Sequence, residues 1–177
     1  MMRTFLILAL MLPGLAFAAG GNTFSPPQGS KTSKVCEGVQ VWDTKTKSCV
    51  NPQETSLDTD VLYEAVRELA YADRLGDAQG VLLAMPDQND DRVLTYWGFT
   101  HRKMGNIELG HGFYQAALKK NPDNILARSY MGQSFVDQDE MEAAKLQLSE
   151  IRDRGGIGTW PETALEQAIE TGITSNY

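Results

Sequence analysis

The chain has 177 residues and only two histidines, His101 and His111, the side chains best suited to proton transfer or metal ligation near neutral pH. They lie on separate predicted helices with no H-x-x-x-H or H-E-x-x-H spacing and no nearby cysteine. Neither a zinc site nor a base with an orienting partner is therefore expected, and both read as packed or surface histidines. Ser129, Ser134 and Ser149 lack the Gly-x-Ser-x-Gly elbow that exposes a nucleophile. Gly155-Gly156-Ile157-Gly158 follows no predicted strand, so a phosphate-cradling loop is not expected there. Asp87, Asn89, Asp90 and Asp91 cluster without EF-hand spacing or a distal Glu, which suits a solvated turn better than a calcium loop. The expectation is a protein without catalytic residues, cofactor or metal.

Composition bounds the partners. Sixteen Lys and Arg against 23 Asp and Glu give a net charge of −7, unsuited to neutralising the phosphates of nucleic acid. A hydrophobic fraction of 42% fits a folded domain. Residues 1–18 read as a signal peptide: Arg3 is the positive start, Phe5 to Leu12 the apolar run, and Ala16-Phe17-Ala18 the small-x-small cleavage signal. The apolar run is too short to span a bilayer, so no stable membrane insertion is expected, and an exported chain, periplasmic or secreted, would begin at Ala19.

The next residues, 19–35, are rich in Gly, Ser, Asn and Pro and are expected to form a flexible surface linker. Cys36 and Cys49 are the only cysteines, and an isolated pair in an exported chain is most simply a disulfide. Val39 and Val41 alternate with polar or aromatic residues, and Asp43 to Lys47 read as a turn. Residues 36–50 are thus expected to form a stapled hairpin, peripheral to the rest. This segment resembles the closing hairpin of small chitin-binding modules of the peritrophin kind, which present an aromatic to sugar. Trp42 would be that aromatic, although such modules use about three bridges and only one is possible here.

From Leu57 onward amphipathic stretches alternate with Gly-Asp, Gly-Asn and Pro-Asp turns. A shift of 34 residues superimposes Trp97-Gly98 on Met131-Gly132, Gly110 on Ala144, and Tyr114 on Leu148. Gly98, Gly110, Gly132 and Ala144 are small where paired helices would cross closely, while the larger groups interdigitate. The run Leu94-x-x-Trp97-Gly98-x-x-His101, then Gly110-x-x-x-Tyr114, Ala117 and Pro122, resembles the tetratricopeptide repeat. Expected units are a degenerate 57–90, with Leu75-Gly76-Asp77 as its turn, the best match at 91–124, and a third at 125–158, within a repeat domain of 57–160. A capping helix over 161–171 would lay Leu165, Ala168 and Ile169 on the third unit around Leu146 and Leu148.

The resemblance implies an all-α solenoid of antiparallel helix pairs, about three units, with a concave groove that binds a peptide or partner protein. It resembles small exported tetratricopeptide proteins of Gram-negative bacteria. Carried over position by position, the groove residues are Arg92, Thr95, Phe99, Arg102 and Lys103 from one unit and Ser129, Gln133 and Val136 from the next. Phe99 with Arg102 and Lys103 would form an exposed aromatic beside a basic cluster, suited to an acidic partner segment. The competing expectation is an envelope glycan binder that uses Trp42, with the repeats as a spacer.

Overall fold

Short polar residues ahead of apolar runs divide this chain into helices. The computed structural model describes residues 25–54 and 57–174, and shows eight helices and one β-hairpin among them. The order is α1 (Lys31–Lys34), β1 (Val41–Asp43), β2 (Ser48–Val50), α2 (Thr59–Tyr71), α3 (Leu75–Leu82) and α4 (Asp91–Lys103). Then follow α5 (Ile107–Lys120), α6 (Ile125–Asp137), α7 (Met141–Asp153) and α8 (Trp160–Thr171). The expected signal peptide and residues 19–24 lie outside the described residues. No described helix is long and apolar enough to cross a membrane.

Local chemistry fixes the helix ends. The side chains of Asp58, Asp90 and Asn124 accept the first-turn N–H groups of Asp60, Arg92 and Ala127, opening α2, α4 and α6. Past their far ends stand Asp73, Gly105 and Asp139, with φ of 60°, 85° and 60°. Asp visits this left-handed region more readily than most residues, and Gly does so without cost. Asp73, rather than Gly76, is thus the counterpart of Gly105. The turn expected at Leu75-Gly76-Asp77 is instead the first turn of α3. The first unit is short because α3 has 8 residues where α5 has 14 and α7 has 13.

Helices pack in succession: α2 on α3, α4 on α5, α6 on α7, while α2 also meets α4, α4 meets α6, and α6 meets α8. Gly98 and Gly110 are needed at the α4–α5 crossing. A Cβ on Gly98 would lie 2.5 Å from the Tyr114 ring, and one on Gly110 would lie 2.9 Å from the Gly98 carbonyl oxygen. Gly132 is small for a different neighbour than expected, since its space is filled by Leu165 of α8 and not by α7. Leu165 joins Ile125, Leu148 and Ile151 in one buried cluster, and Ala168 joins Val136 and Ala144 in another. Leu146, expected beneath α8, is 59% exposed.

The hairpin belongs to the body of the fold. Cys36 and Cys49 are bonded, with Cα atoms 5.6 Å apart, and Trp42 pairs with Cys49 across the two strands. The expected peripheral placement is overturned: Val41 has no exposed surface and lies in the main core with Leu62, Val66 and Val81. Val39 fills the space above Gly80 in α3. Arg74 donates to the carbonyls of Ser33, Cys36 and Gly38 at 3.3, 3.0 and 2.7 Å, and to Asp77 at 2.8 Å. A short α3 with a glycine on its face leaves apolar surface that the two valines cover.

The linker expectation fails for the same reason where the chain is described. Residues 25–35 contain α1 and are tied to α2: Ser30 N and Ser33 Oγ donate to Glu68, and Arg67 donates to the Ser25 carbonyl at 2.6 Å. Because the bridge closes a loop that carries core residues, reduction should destabilise the whole domain. The chain-entropy contribution of such a loop is about 3 kcal/mol. A fall in Tm on the order of 10 °C is expected in thermal unfolding followed by circular dichroism with and without reductant. An unchanged Tm would show that the hairpin is dispensable.

Candidate functional site

Three tyrosines occupy the same place in the three first helices of the pairs. Tyr63, Tyr96 and Tyr130 stack edge to face, with ring centroids 5.7 and 6.0 Å apart and interplanar angles of 78° and 77°. Phe99 lies 4.7 Å from Tyr130, and Tyr71 reaches across so that its hydroxyl is 2.6 Å from that of Tyr130. Trp160, at the start of α8, sits 6.1 Å from Tyr71 and 6.3 Å from Tyr130. Burial raises the ionisation of Tyr63, Tyr71, Tyr96 and Tyr130 above the usual phenol value, so these hydroxyls are uncharged at neutral pH.

The seam occupies the face that repeat positions assign to a groove. Thr95, Phe99, Ser129 and Gln133 have no exposed surface, and Arg102 and Val136 are 3% and 4% exposed. Phe99 is held among Tyr71, Tyr96 and Tyr130, so the expected exposed aromatic is a core residue. Thr95 donates to the Asp91 carbonyl at 2.6 Å, and Ser129 donates to the Pro161 carbonyl at 2.7 Å. Gln133 donates to Ser129, and Val136 is covered by Ala144 and Ala168. Arg102 donates to Asp137 at 2.7 Å instead of facing a partner. Lys103 is half-buried, and of these eight Arg92 and Thr95 line an open cavity. The basic cluster beside an exposed aromatic does not exist. The spacing of Tyr63, Tyr96 and Tyr130, thirty-three and thirty-four residues, was the signal available in the sequence.

What remains open on this face is a pocket of about 220 Å³ where the starts of α2, α4 and α6 meet. Its wall includes Tyr63, Asp91, Arg92, Asn121, Asn124 and Leu126. The Arg92 guanidinium lies 4.8 Å from the Tyr63 ring centroid and donates to Asp60 at 3.1 Å and to Asp90 at 3.3 Å. Asn121 and Asn124 both donate to one oxygen of Asp91, at 2.9 and 2.7 Å. Among the described residues the Tyr63 hydroxyl is buried without a hydrogen-bond partner. Such an orphaned group costs about 1–3 kcal/mol unless a ligand or water completes it.

The other candidates are settled by their neighbours. His101 packs against both Trp97 and Phe113, at 5.8 and 5.5 Å, and those two rings are themselves 6.0 Å apart. His111 shares a hydrogen bond of 2.9 Å with Ser134 and meets the Phe135 ring edge-on. The aspartates near residue 90 serve the turn: Asp87 accepts from Asn89 N and Asp90 from Arg92 N. No group of three or more His, Cys, Asp or Glu side chains able to hold a metal occurs among the described residues. Trp42 is half-buried in a second, wider opening against α2.

No family model, curated protein or solved structure matches this chain.

Two measurements probe the electrostatics. The Arg102 side chain is 1% exposed and that of Asp137 is 34% exposed. Removing the carboxylate by Asp137→Ala leaves a buried cation alone, a change that costs roughly 3–5 kcal/mol when both partners are buried. Screening at the exposed carboxylate should reduce this to about 2 kcal/mol in urea denaturation, with Arg102→Met costing less. Burial also pulls both histidines below the usual imidazole value, so the unfolded chain binds their protons more readily. Stability from this source is complete above about pH 6.5 and declines as pH falls below it. Urea midpoints at pH 7.5 and 5.5 should differ in the parent, and the difference should shrink in a His101→Gln, His111→Gln variant.

Proposed function

We propose that this chain is an exported, non-catalytic interaction module of the tetratricopeptide kind. In this reading α2–α3, α4–α5 and α6–α7 are its three helix pairs, α8 is its cap, and it holds an extended segment of a partner protein at the Tyr63–Arg92 mouth. The paired succession of helices, the glycines at the α4–α5 crossing and the recurrent tyrosine support the repeat reading. The disulfide indicates an oxidising, extracytoplasmic compartment, and with the signal-like first 18 residues it supports a periplasmic or secreted location.

The observation that carries the partner reading is the open pocket where the starts of α2, α4 and α6 meet, walled by Tyr63, Arg92, Ile125 and Leu126. An extended peptide would lie across this mouth with an apolar side chain toward Ile125 and Leu126. Both Asn side chains are already engaged with Asp91, which leaves the wall rigid before a partner arrives. The two histidines are locked in aromatic packing or bonded to Ser134, which favours a binding role over proton transfer.

Arg92→Gln removes the guanidinium from the mouth, whereas Tyr63→Phe keeps the ring in its stack and removes only a buried, unsatisfied polar group. A photo-crosslinking residue at Asp123, an exposed residue of the mouth, should give a discrete adduct in the native cell envelope. The same group at Lys145, exposed on α7, should not. Tyr63→Phe should match or exceed the parent in Tm, and Arg92→Gln should lose most of the adduct. An equal yield in Arg92→Gln, or an equal adduct from Lys145, would rule out the mouth as the binding surface.

A further inference from the structure

Two guanidinium groups meet the ring of Tyr63. The Arg67 and Arg92 guanidinium carbons lie 5.9 and 4.8 Å from its centroid. Arg92 borders the open pocket, whereas Arg67, one turn further along α2, is 2% exposed and donates to the Ser25 carbonyl at 2.6 Å. Ser25, Pro26 and Pro27 therefore form a strap against α2, one aromatic ring away from the mouth. Both prolines are half-buried, and their fixed φ keeps such a pair extended.

The strap is held lightly. Among the described residues, the Ser25 carbonyl makes the only hydrogen bond from residues 25–29 to the rest of the chain. Arg67 gives one terminal nitrogen to Glu64 and the other to Ser25, while its Nε is buried with no partner among the described residues. Firm anchorage begins only at Ser30, whose N–H donates to Glu68 at 2.8 Å, and at Thr32, whose Oγ1 accepts from Trp42 N at 3.1 Å. The strap can thus swing out from a fixed base while α1 and the hairpin stay in place.

We infer that residues 25–27 are an intramolecular occupant of the partner-binding face, which an incoming segment must displace to extend from the mouth along α2. This rests on the mouth being the partner site. An extended chain advances about 3.3 Å per residue, so a partner segment meets the strap within a few residues of Tyr63. The Arg67 nitrogen that holds the Ser25 carbonyl can hold a partner's carbonyl in the same place, and only one of them at a time. A segment with so few bonds opens readily, and while closed it lowers a partner's apparent affinity in proportion to the fraction of molecules open.

The test compares a protein beginning at Ala19 with one beginning at Gln28, which should share the same helical circular dichroism. A fluorescein-labelled peptide of residues 19–30 should bind the shorter protein saturably in fluorescence anisotropy. It should bind the longer one about tenfold more weakly, because the tethered strap competes at a high effective concentration. Arg67→Gln in the shorter protein should weaken the peptide several-fold. With the photo-crosslinking residue at Asp123, the shorter protein should give several-fold more envelope adduct, and free peptide should reduce it. Pro26→Gly, Pro27→Gly in the longer protein loosens the strap without removing it and should raise the adduct in the same direction.

Equal peptide binding by the two proteins, or by the shorter protein with and without Arg67→Gln, would overturn the inference. Equal adduct yields from the two proteins would make the strap a fixed part of the wall, overturning it while leaving the mouth as the partner site. A discrete adduct from neither would remove the mouth and the strap's role together.

Discussion

The edge-to-face contact of Tyr63, Tyr96 and Tyr130 decides where every other element can go. Each such pair contributes about 0.5–1.5 kcal/mol beyond the area it buries, and the chain makes two of them in series. A ring at the same height on α2, α4 and α6 fixes the rotation of each helix about its own axis. Phe99, Tyr71 and Trp160 then fill the remaining angle between those helices. The hydroxyls that enter this apolar seam are partly satisfied by one another, as at Tyr71 and Tyr130. A face lined this way is a core. Only its end, where Tyr63 has no third ring to meet, stays open.

The two ends of the helical body are finished with different chemistry. At the C-terminal side α8 works by apolar fit, with Leu165 lying in the space beside Gly132, and by ion pairs from Arg152 to Glu162 and Glu166 at its rim. The pair with Glu166 is exposed and orients the helix more than it stabilises it, whereas Glu162 is buried and also accepts from Gly158 N. At the N-terminal side the hairpin cannot offer a helix face, so Arg74 gathers three carbonyls of an irregular segment, and Val39 and Val41 supply the apolar contact. A guanidinium suits that task because it carries five donors in a fixed fork. The disulfide holds the segment in the shape that Arg74 reads.

Much of this was legible in the residues themselves. The close approach at Gly98 and Gly110 and the Cys36–Cys49 bond follow from spacing, and the structure has them, whereas the caps at Asp58 and Asp90 come from aspartates that the sequence offered only as turn residues or not at all. Gly76 misled because a glycine is the usual left-handed residue, whereas here Asp73 takes that conformation and Gly76 lies inside a helix. Phe99 and Arg102 were assigned the right face and the wrong exposure. Periodicity tells which way a side chain points along its helix, but not how far neighbouring helices close over it. That closure depends on Tyr71 and Trp160, which come from distant parts of the chain and carry no periodic signal. Residues 25–35 looked loose because Gly, Ser and Pro dominate them. Their order comes from Glu68, Arg67 and Arg74, three charged groups whose partners are backbone atoms that no composition argument counts.

The hairpin against α2 and α3, through Val41, and α8 against α6 and α7, through Leu165 and Ala168, cover the two ends of the described row of helices. A further helix pair would meet surface already occupied at either end of that row. With both ends covered, the described row of helices lacks the open apolar end through which one molecule could continue into the next and string into fibres.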